Sequence, residues 1–388
     1  RTGTKLSHAS ENELAGMMAE ASGPLQIVGG GTRAIGRASA GEVLSLSGLS
    51  GVKLYEPGAL TLVVGAGTPL AEVEALLEKE GQMLPFEPPR MGGLLGREGE
   101  STIGGVVAAN ASGPRRMQAG ACRDCLIGVR FVDGSGTILK NGGRVMKNVT
   151  GYDLVKLMAG SYGTLGVLSE VAFRVLPKLD GATLAVQVPS VAMALEVMTK
   201  AVTSPFDITG AAYSPDEAVY LRVEGLDSSV RYRVEQLKTL IGGEISVSED
   251  PSASAATWRR LRDVSDFADG SAAVWRVSMK PSDMVEIFLN GSMGSAGFDY
   301  RLDWAGGLAW VRMTSEAGEE EIVAFHRQLQ DMCGDGAKGH ATLFKASESV
   351  SAKVTTFQPE APGVARLSRG LREKFDPRGI LNPGLMGG

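Results

Sequence analysis

Lys147-Asn-Val-Thr-Gly-Tyr-Asp-Leu-Val-Lys-Leu-Met-Ala-Gly-Ser-Tyr-Gly-Thr-Leu-Gly166-Val167 joins a short apolar segment to a loop in which Gly160, Gly163 and Gly166 recur at every third position. Without a Cβ, such a loop brings backbone amides close to a flat ligand. A tight strand-to-strand connection uses the same residues. What separates the two readings is company, because three other glycine-rich segments precede this one. Ile27-Val-Gly-Gly-Gly-Thr-Arg33 follows a strand expected at 25–28 and offers consecutive N–H groups to an anion such as a diphosphate. Val63-Val-Gly-Ala-Gly-Thr-Pro69 is the second, and Ser101-Thr-Ile-Gly-Gly-Val-Val-Ala-Ala-Asn-Ala-Ser-Gly113 the third, mixing small residues with hydroxyl and amide side chains. Together they describe a pocket lined by backbone.

Gly29-x-Gly31-x-x-Ala34 also fits the dinucleotide fingerprint of a Rossmann fold. Its context does not. That fingerprint opens a helix, whereas Gly36 and Gly41 follow closely with little apolar periodicity, and no strand ends in an acidic residue at the required spacing.

The 388 residues, 43% hydrophobic and 21% charged, are those of an ordinary globular protein with room for two cores. A net charge of −5 gives no basic footprint, so nucleic acid is not an expected partner. No apolar run approaches the ~20 residues that span a bilayer. Arg1-Thr-Gly-Thr-Lys5 lacks the apolar core of a signal peptide, which leads to a cytoplasmic expectation. The three cysteines cannot supply the ligands of an iron–sulfur cluster, and no metal site is expected. Cys122-Arg-Asp-Cys125 has redox-motif spacing, but without thioredoxin-like context it reads as free buried thiols.

Patterning places a helix over 10–22 with Ser10 as its cap, and strands at 43–46, 52–55 and 60–64. Thr68 is the expected cap of a helix whose stripe is Leu70, Val73, Leu76 and Leu77. Further strands fall at 129–132, 138–139 and 167–175, giving an α+β domain over residues 1–177. From 178 to 355 the texture changes to two βαββ-like units, which predict an antiparallel sheet with helices on one face. Residues 356–388 form a tail in which Phe375-Asp-Pro-Arg-Gly-Ile-Leu-Asn-Pro-Gly384, with two prolines and two glycines, is a shaped loop. It serves as a packing clasp or returns to the pocket.

Taken together, the Gly29 loop, Thr102 to Asn110, Gly160 to Gly166 and Asp376 to Gly384 resemble flavoproteins of the vanillyl-alcohol oxidase type, the PCMH-type FAD-binding superfamily. More narrowly, Arg144-Val-Met-Lys-Asn-Val-Thr-Gly-Tyr-Asp-Leu-Val-Lys156 and Ser112-Gly-Pro-Arg-Arg116 resemble the FAD-binding subunits of bacterial glycolate oxidase. The resemblance implies a two-subdomain FAD domain followed by a cap domain. It implies that Gly29, Gly30, Gly31, Thr32 and Arg33 hold a diphosphate, and that Thr102, Gly104, Gly105, Asn110 and Ser112 line the cofactor. Gly166 and Val167 would meet it through backbone, and Asn382 would close over it from the tail. Thr32 stands where many relatives carry a flavin-linking histidine, so FAD is expected to be non-covalent.

The resemblance further implies oxidation of glycolate, a 2-hydroxy acid, to glyoxylate. Electrons would pass to a paralogous FAD-containing catalytic subunit and an iron–sulfur subunit, with membrane contact only indirect, peripheral at the inner membrane. Such chemistry requires a base, a hydride acceptor and a cation for the carboxylate. Of the three histidines, His8 lies near the N-terminus, His326 reads as a solvated or capping helix residue, and His340 stands beside a strand in a place resembling the family's site region. His340 is the candidate base, a structural role being its alternative. Arg276, Arg301 and Arg312, on alternating cap strands, are candidates for the substrate carboxylate. Two other readings stay open: a self-sufficient FAD-dependent dehydrogenase of the D-lactate kind, and a flavin-holding scaffold.

Overall fold

The computed structural model describes residues 5–6, 10–37, 39–143, 153–289 and 297–387. His8 and residues 144–152, which include most of the Arg144–Lys156 motif and the start of the stretch quoted first, lie outside the described residues. Two compact units emerge, one of Arg1–Ser112, Gly120–Lys178 and Pro362–Gly388, the other of Gly113–Ala119 and Leu179–Ala361.

In the first unit, Ser10 caps the helix Glu11–Glu20 by accepting a hydrogen bond from Glu13 N (3.2 Å), and Leu14 and Met18 point into a small core. Strands β1 (Lys5–Leu6), β2 (Leu25–Val28) and β3 (Glu42–Ser45) form a parallel sheet of order β1-β3-β2. A five-stranded antiparallel sheet runs β4-β5-β9-β7-β8, built from β4 (Val52–Glu56), β5 (Thr61–Gly65), β7 (Leu126–Val132), β8 (Ile138–Gly142) and β9 (Val167–Arg174). The two-residue strands β6 (Gln82–Met83) and β10 (Leu176–Pro177) pair separately. β5 is buried throughout, as a central strand with both faces covered must be.

The helix Leu70–Lys79 carries its expected stripe, with Leu70, Val73 and Leu77 buried. Its cap position is Pro69, not Thr68. The Thr68 hydroxyl instead donates to Gly65 O (2.7 Å) and accepts from Gly51 N (2.9 Å), closing the turn before the helix. A second helix, Ile103–Ala108, starts at Thr102, whose hydroxyl accepts from Gly105 N (3.2 Å).

The tail is a clasp. Asp376 accepts from Ile380 N (3.1 Å) and Leu381 N (2.8 Å), shaping the turn, while Leu25 N donates to Ile380 O (2.7 Å). The Arg378 guanidinium donates to the carbonyls of Met18, Ala19 and Ala21, satisfying the end of the Glu11–Glu20 helix.

The second unit is one antiparallel sheet of eight strands, ordered β14-β11-β13-β12-β16-β17-β15-β18. Its first half comprises β11 (Gly181–Val186), β12 (Ile208–Ser214), β13 (Ala218–Glu224) and β14 (Ile245–Ser248). The second comprises β15 (Ser271–Met279), β16 (Asp299–Asp303), β17 (Leu308–Thr314) and β18 (Gly339–Lys345). The halves repeat one topology and meet where Tyr213 pairs with Leu302. Leu184, Leu221, Trp275, Val311 and Leu343 share a core with Ala194, Met198, Val234, Phe325 and Leu329 from the helices.

One helix departs from the one-face expectation. Thr183 alternates with the core residues Ala182 and Leu184 and so points to the opposite face. There it meets Ser254 and Trp258 of the helix Pro251–Arg262, with Trp258 Nε1 donating to Thr183 Oγ1 (3.0 Å). His326 is a core residue rather than a solvated one, its Nδ1 accepting from Trp275 Nε1 (3.1 Å). Burial pushes it down to about 4. The boundary expected at 355/356 falls at 361/362, because Leu343 N donates to Thr356 O and Gln358 exchanges hydrogen bonds with Ala341 and Gln330.

Candidate functional site

The first unit contains a trough whose atom-free space is about 1200 Å³, its open mouth included. It opens at the end of β2, where the chain leaves Val28 for Gly29. Gly31 takes φ +73°, a left-handed turn that glycine accommodates without strain. Among the described residues, the amides of Gly29, Gly30, Gly31 and Thr32 have no protein acceptor. Successive N–H groups of this kind make an anion-binding concavity.

The charged lining has one sign. Among the described residues Arg33, Arg37 and Arg97 contribute, and no Asp or Glu does. Ile27, Val28, Leu46, Leu168 and Leu385 supply the apolar wall. Arg33 is spoken for: its guanidinium donates to Ser101 Oγ (2.9 and 3.1 Å) and Pro89 O (2.5 Å).

Ten of the thirteen cofactor positions expected from sequence line this trough: Gly29, Gly30, Gly31, Thr32, Arg33, Thr102, Gly104, Gly105, Gly166 and Asn382. Several glycines are there for another reason than ligand approach. A Cβ on Gly29 would overlap Thr102 Oγ1, and one on Gly30 would overlap the Glu100 carbonyl. On Gly104 it would come 2.7 Å from Ala66 O, and on Gly166 2.6 Å from the Phe131 ring. The loops press against each other, and that packing sets the amides in place.

Asn382 ties the tail into the wall. Its Oδ1 accepts from Ile27 N (2.8 Å) and its Nδ2 donates to Tyr162 O (2.8 Å). The 160–166 loop is fixed from its other side by Gly160 N donating to Val107 O (3.0 Å) and Tyr162 N to Ala108 O (2.9 Å).

Asn110, Ser112 and Val167 do not line the trough. Asn110 Oδ1 accepts from Arg123 N and Ser112 Oγ from Cys122 N, so both close the turn into the helix Cys122–Cys125. Val167 packs with Leu14, Leu44 and Leu381. The Val63–Pro69 loop also lies outside the lining, since Gly65 and Gly67 press on the carbonyls of Leu49 and Leu46. Sequence reasoning missed Arg37, Arg97, Ser161, Tyr162 and Gly163. Ser161, Tyr162 and Gly163 were within reach of it, inside the quoted loop. Cys122 and Cys125 are buried and form no disulfide, burial pushes both thiols upward, and neither lines the trough.

The arginines of the second unit are largely committed. Arg312 Nε donates to Asp299 (2.8 Å) and its guanidinium lies 4.8 Å from the Phe267 ring centroid. Arg301 lies 5.2 Å from the same ring, with Asp266 3.6 Å from its Nε. Asp299 and Phe267 thus sit against Arg312, and Asp266 and Phe267 against Arg301. Arg276 stacks over Trp304 (5.2 Å), as does Arg116 (4.4 Å). His340 sits exposed on β18, at the edge of the sheet, beside the turn at Gly336. Ser112-Gly-Pro-Arg-Arg116 also gains a role within this unit. Arg115 is buried against Glu224 (2.5 and 2.7 Å), and Trp304 Nε1 donates to Gly113 O (2.9 Å).

A family model described as an FAD binding domain matches residues 7–142. Glycolate oxidase subunit GlcE of Escherichia coli (strain K12) is 36% identical over 365 residues, 94% of this chain and 92% of that protein. Glycolate oxidase subunit GlcD of Bacillus subtilis (strain 168) is 23% identical, covering 84% of this chain and 75% of its own. Among solved structures, p-cresol methylhydroxylase with substrate bound superimposes with a TM-score of 0.70 at 15% identity, over 98% of this chain and 88% of that one. At that identity the likeness speaks for the fold.

Proposed function

The chain belongs to the glycolate oxidase subunit GlcE family of FAD-binding proteins, and from that premise we propose that it is an FAD-binding subunit of a glycolate oxidase complex. The complex oxidises glycolate, or a related small 2-hydroxy acid, to the 2-oxo acid. Bound FAD supplies the two-electron acceptor for that oxidation. The observation that carries the reading is the run of four amides, Gly29 to Thr32, without a protein acceptor at a trough whose charged groups, among the described residues, are all arginines. Such an array suits a diphosphate.

In this reading Gly29 to Thr32 bind the diphosphate, and Thr102, Gly104, Gly105 and Gly166 form the wall beside it. Asn382 holds Ile27 and Tyr162 in register. FAD is held non-covalently, a reading supported by a described lining without histidine or cysteine and by Thr32 at the linking position.

The described lining also offers no carboxylate, histidine or lysine to take the hydroxyl proton of a substrate. That favours a base from outside the trough, supplied by a paralogous flavoprotein subunit, with an iron–sulfur subunit as the onward electron acceptor. No helix of the described residues is long and apolar enough to cross a membrane, so any membrane contact in this scheme comes through partners. A second reading, a self-sufficient dehydrogenase, rests on His340, whose side chain is exposed and makes no hydrogen bond among the described residues.

Stopped-flow bleaching of the flavin by glycolate separates the two. The FAD-loaded chain alone is expected to be reduced at least 10-fold more slowly than with its partner subunits, a difference of about 1.4 kcal/mol in barrier. Equal rates, abolished by His340→Ala, would replace this proposal with the self-sufficient enzyme.

A further inference from the structure

Of the three arginines lining the trough, Arg97 reaches it in a distinct way. It belongs to the segment 92–100, which folds directly onto the glycine loop. A Cβ on Gly99 would come 2.9 Å from Gly30 O, one on Gly92 would come 3.9 Å from Thr32, and one on Gly30 would strike the Glu100 carbonyl. The anion-binding amides and this segment are therefore one packed body.

The backbone of Arg97 is fixed by a complete helix-ending motif. The short helix Gly92–Leu95 stops at Gly96, which takes φ +62°. Gly96 N donates to Gly93 O (3.3 Å) and Arg97 N to Gly92 O (2.8 Å), the paired bonds of a Schellman cap. The cap sets where the Arg97 side chain leaves the segment. That side chain is exposed and makes no ion pair among the described residues. Its sequence neighbours Glu98 and Glu100 do not line the trough. Arg33, by contrast, spends its donors on Ser101 and Pro89.

Resting on the FAD reading above, we propose that Arg97 is a specificity-determining residue of the trough, gripping the diphosphate of the bound dinucleotide together with the glycine-loop amides. A guanidinium presents a planar fork of donors to phosphate oxygens, and such charge-assisted bonds exceed neutral ones in strength. The cation adds what the amides lack, a full charge. It thereby favours ligands carrying the diphosphate over the bare isoalloxazine and ribityl chain.

The test is equilibrium binding to the flavin-free chain, with FAD, ADP and riboflavin as three probes. Arg97→Ala and Arg97→Gln are expected to weaken FAD and ADP in parallel by about 10-fold, and Arg97→Lys by only about 3-fold. Riboflavin affinity is expected to stay unchanged in all three. Rising salt is expected to weaken FAD binding to the unsubstituted chain more than to Arg97→Ala. The exposed side chain makes a folding defect separable, since thermal melts of the flavin-free variants should coincide with the parent. FAD and ADP affinities that do not move, or a riboflavin loss equal to that of FAD, would overturn the role of Arg97 while leaving the FAD reading standing. A parent chain that binds neither FAD nor ADP would overturn both.

Discussion

The trough of the first unit and the paired arginines of the second use positive charge and polar groups in opposite ways. In the first, the loop Gly29–Thr32 leaves its amides unpaired among the described residues, and Arg97 makes no ion pair there. In the second, cations are answered from within: Arg312 by Asp299, Arg260 by Glu217 and Asp266, Arg115 by Glu224. Successive amides without a protein acceptor suit an anion, whereas a cation already paired with a carboxylate has less to offer one. The contrast is what singles out the trough.

The largest expected effect tests the satisfied side. Glu224 accepts from Arg115 and lies 3.5 Å from Arg222, with all three side chains nearly inaccessible. Glu224→Ala leaves two guanidinium groups facing each other and is expected to cost about 3–5 kcal/mol of stability. Calorimetry should register that loss while the flavin-to-protein ratio of the folded chain stays at the parent value. Loss of flavin with no change in melting would break the contrast between the units.

A second effect of similar size concerns pH. His326 titrates near 4 in the folded chain because burial disfavours its charged form, against about 6.5 when unfolded. Between those values only the unfolded chain binds the proton, so stability falls as pH drops from about 6.5 to 4, by about 3 kcal/mol in total. Above pH 6.5 this residue contributes no slope. Denaturant melts across that window should lose this component of the slope in His326→Gln, whose amide oxygen can still accept from Trp275.

On the unsatisfied side, Gly30→Ala drives a methyl into the Glu100 carbonyl and is expected to cost roughly 2–3 kcal/mol and most FAD binding. Gly93→Ala is the control, since a Cβ there meets nothing within 4 Å and stability should rise slightly. Smaller than Gly30→Ala is Asn382→Ala. It strands Ile27 N and Tyr162 O and is expected to cost about 2 kcal/mol, with FAD affinity reduced less than in Gly30→Ala. Urea midpoints and fluorescence titration of FAD would rank the three.

Sequence legibility follows the same division. The glycine loops stood out because glycine marks backbone geometry, and the Ser10 cap and the Leu70–Val73–Leu77 stripe because they are local patterns. The reason for each glycine was not readable: the contacts of Gly166 with Phe131 and of Gly104 with Ala66 join residues far apart in the chain. Helix Ile103–Ala108 hid behind its two glycines, and Pro362–Phe375 behind Gly363 and Gly370. Strand alternation located Arg301 and Arg312 correctly but could not reveal that Asp266, Phe267 and Asp299 would answer them. His326 looked solvated beside Arg327 because its partner Trp275 lies 51 residues away. Arg97 carried no signal at all, since its position depends on a cap closed by Gly96.

Flavin stoichiometry and release test the central claim most directly. The purified chain, incubated with excess FAD and freed of unbound ligand, is expected to hold one FAD per chain and to yield all of it to the supernatant on acid precipitation. Flavin remaining with the pellet would contradict the non-covalent trough, and a chain that retains no FAD would contradict the account as a whole.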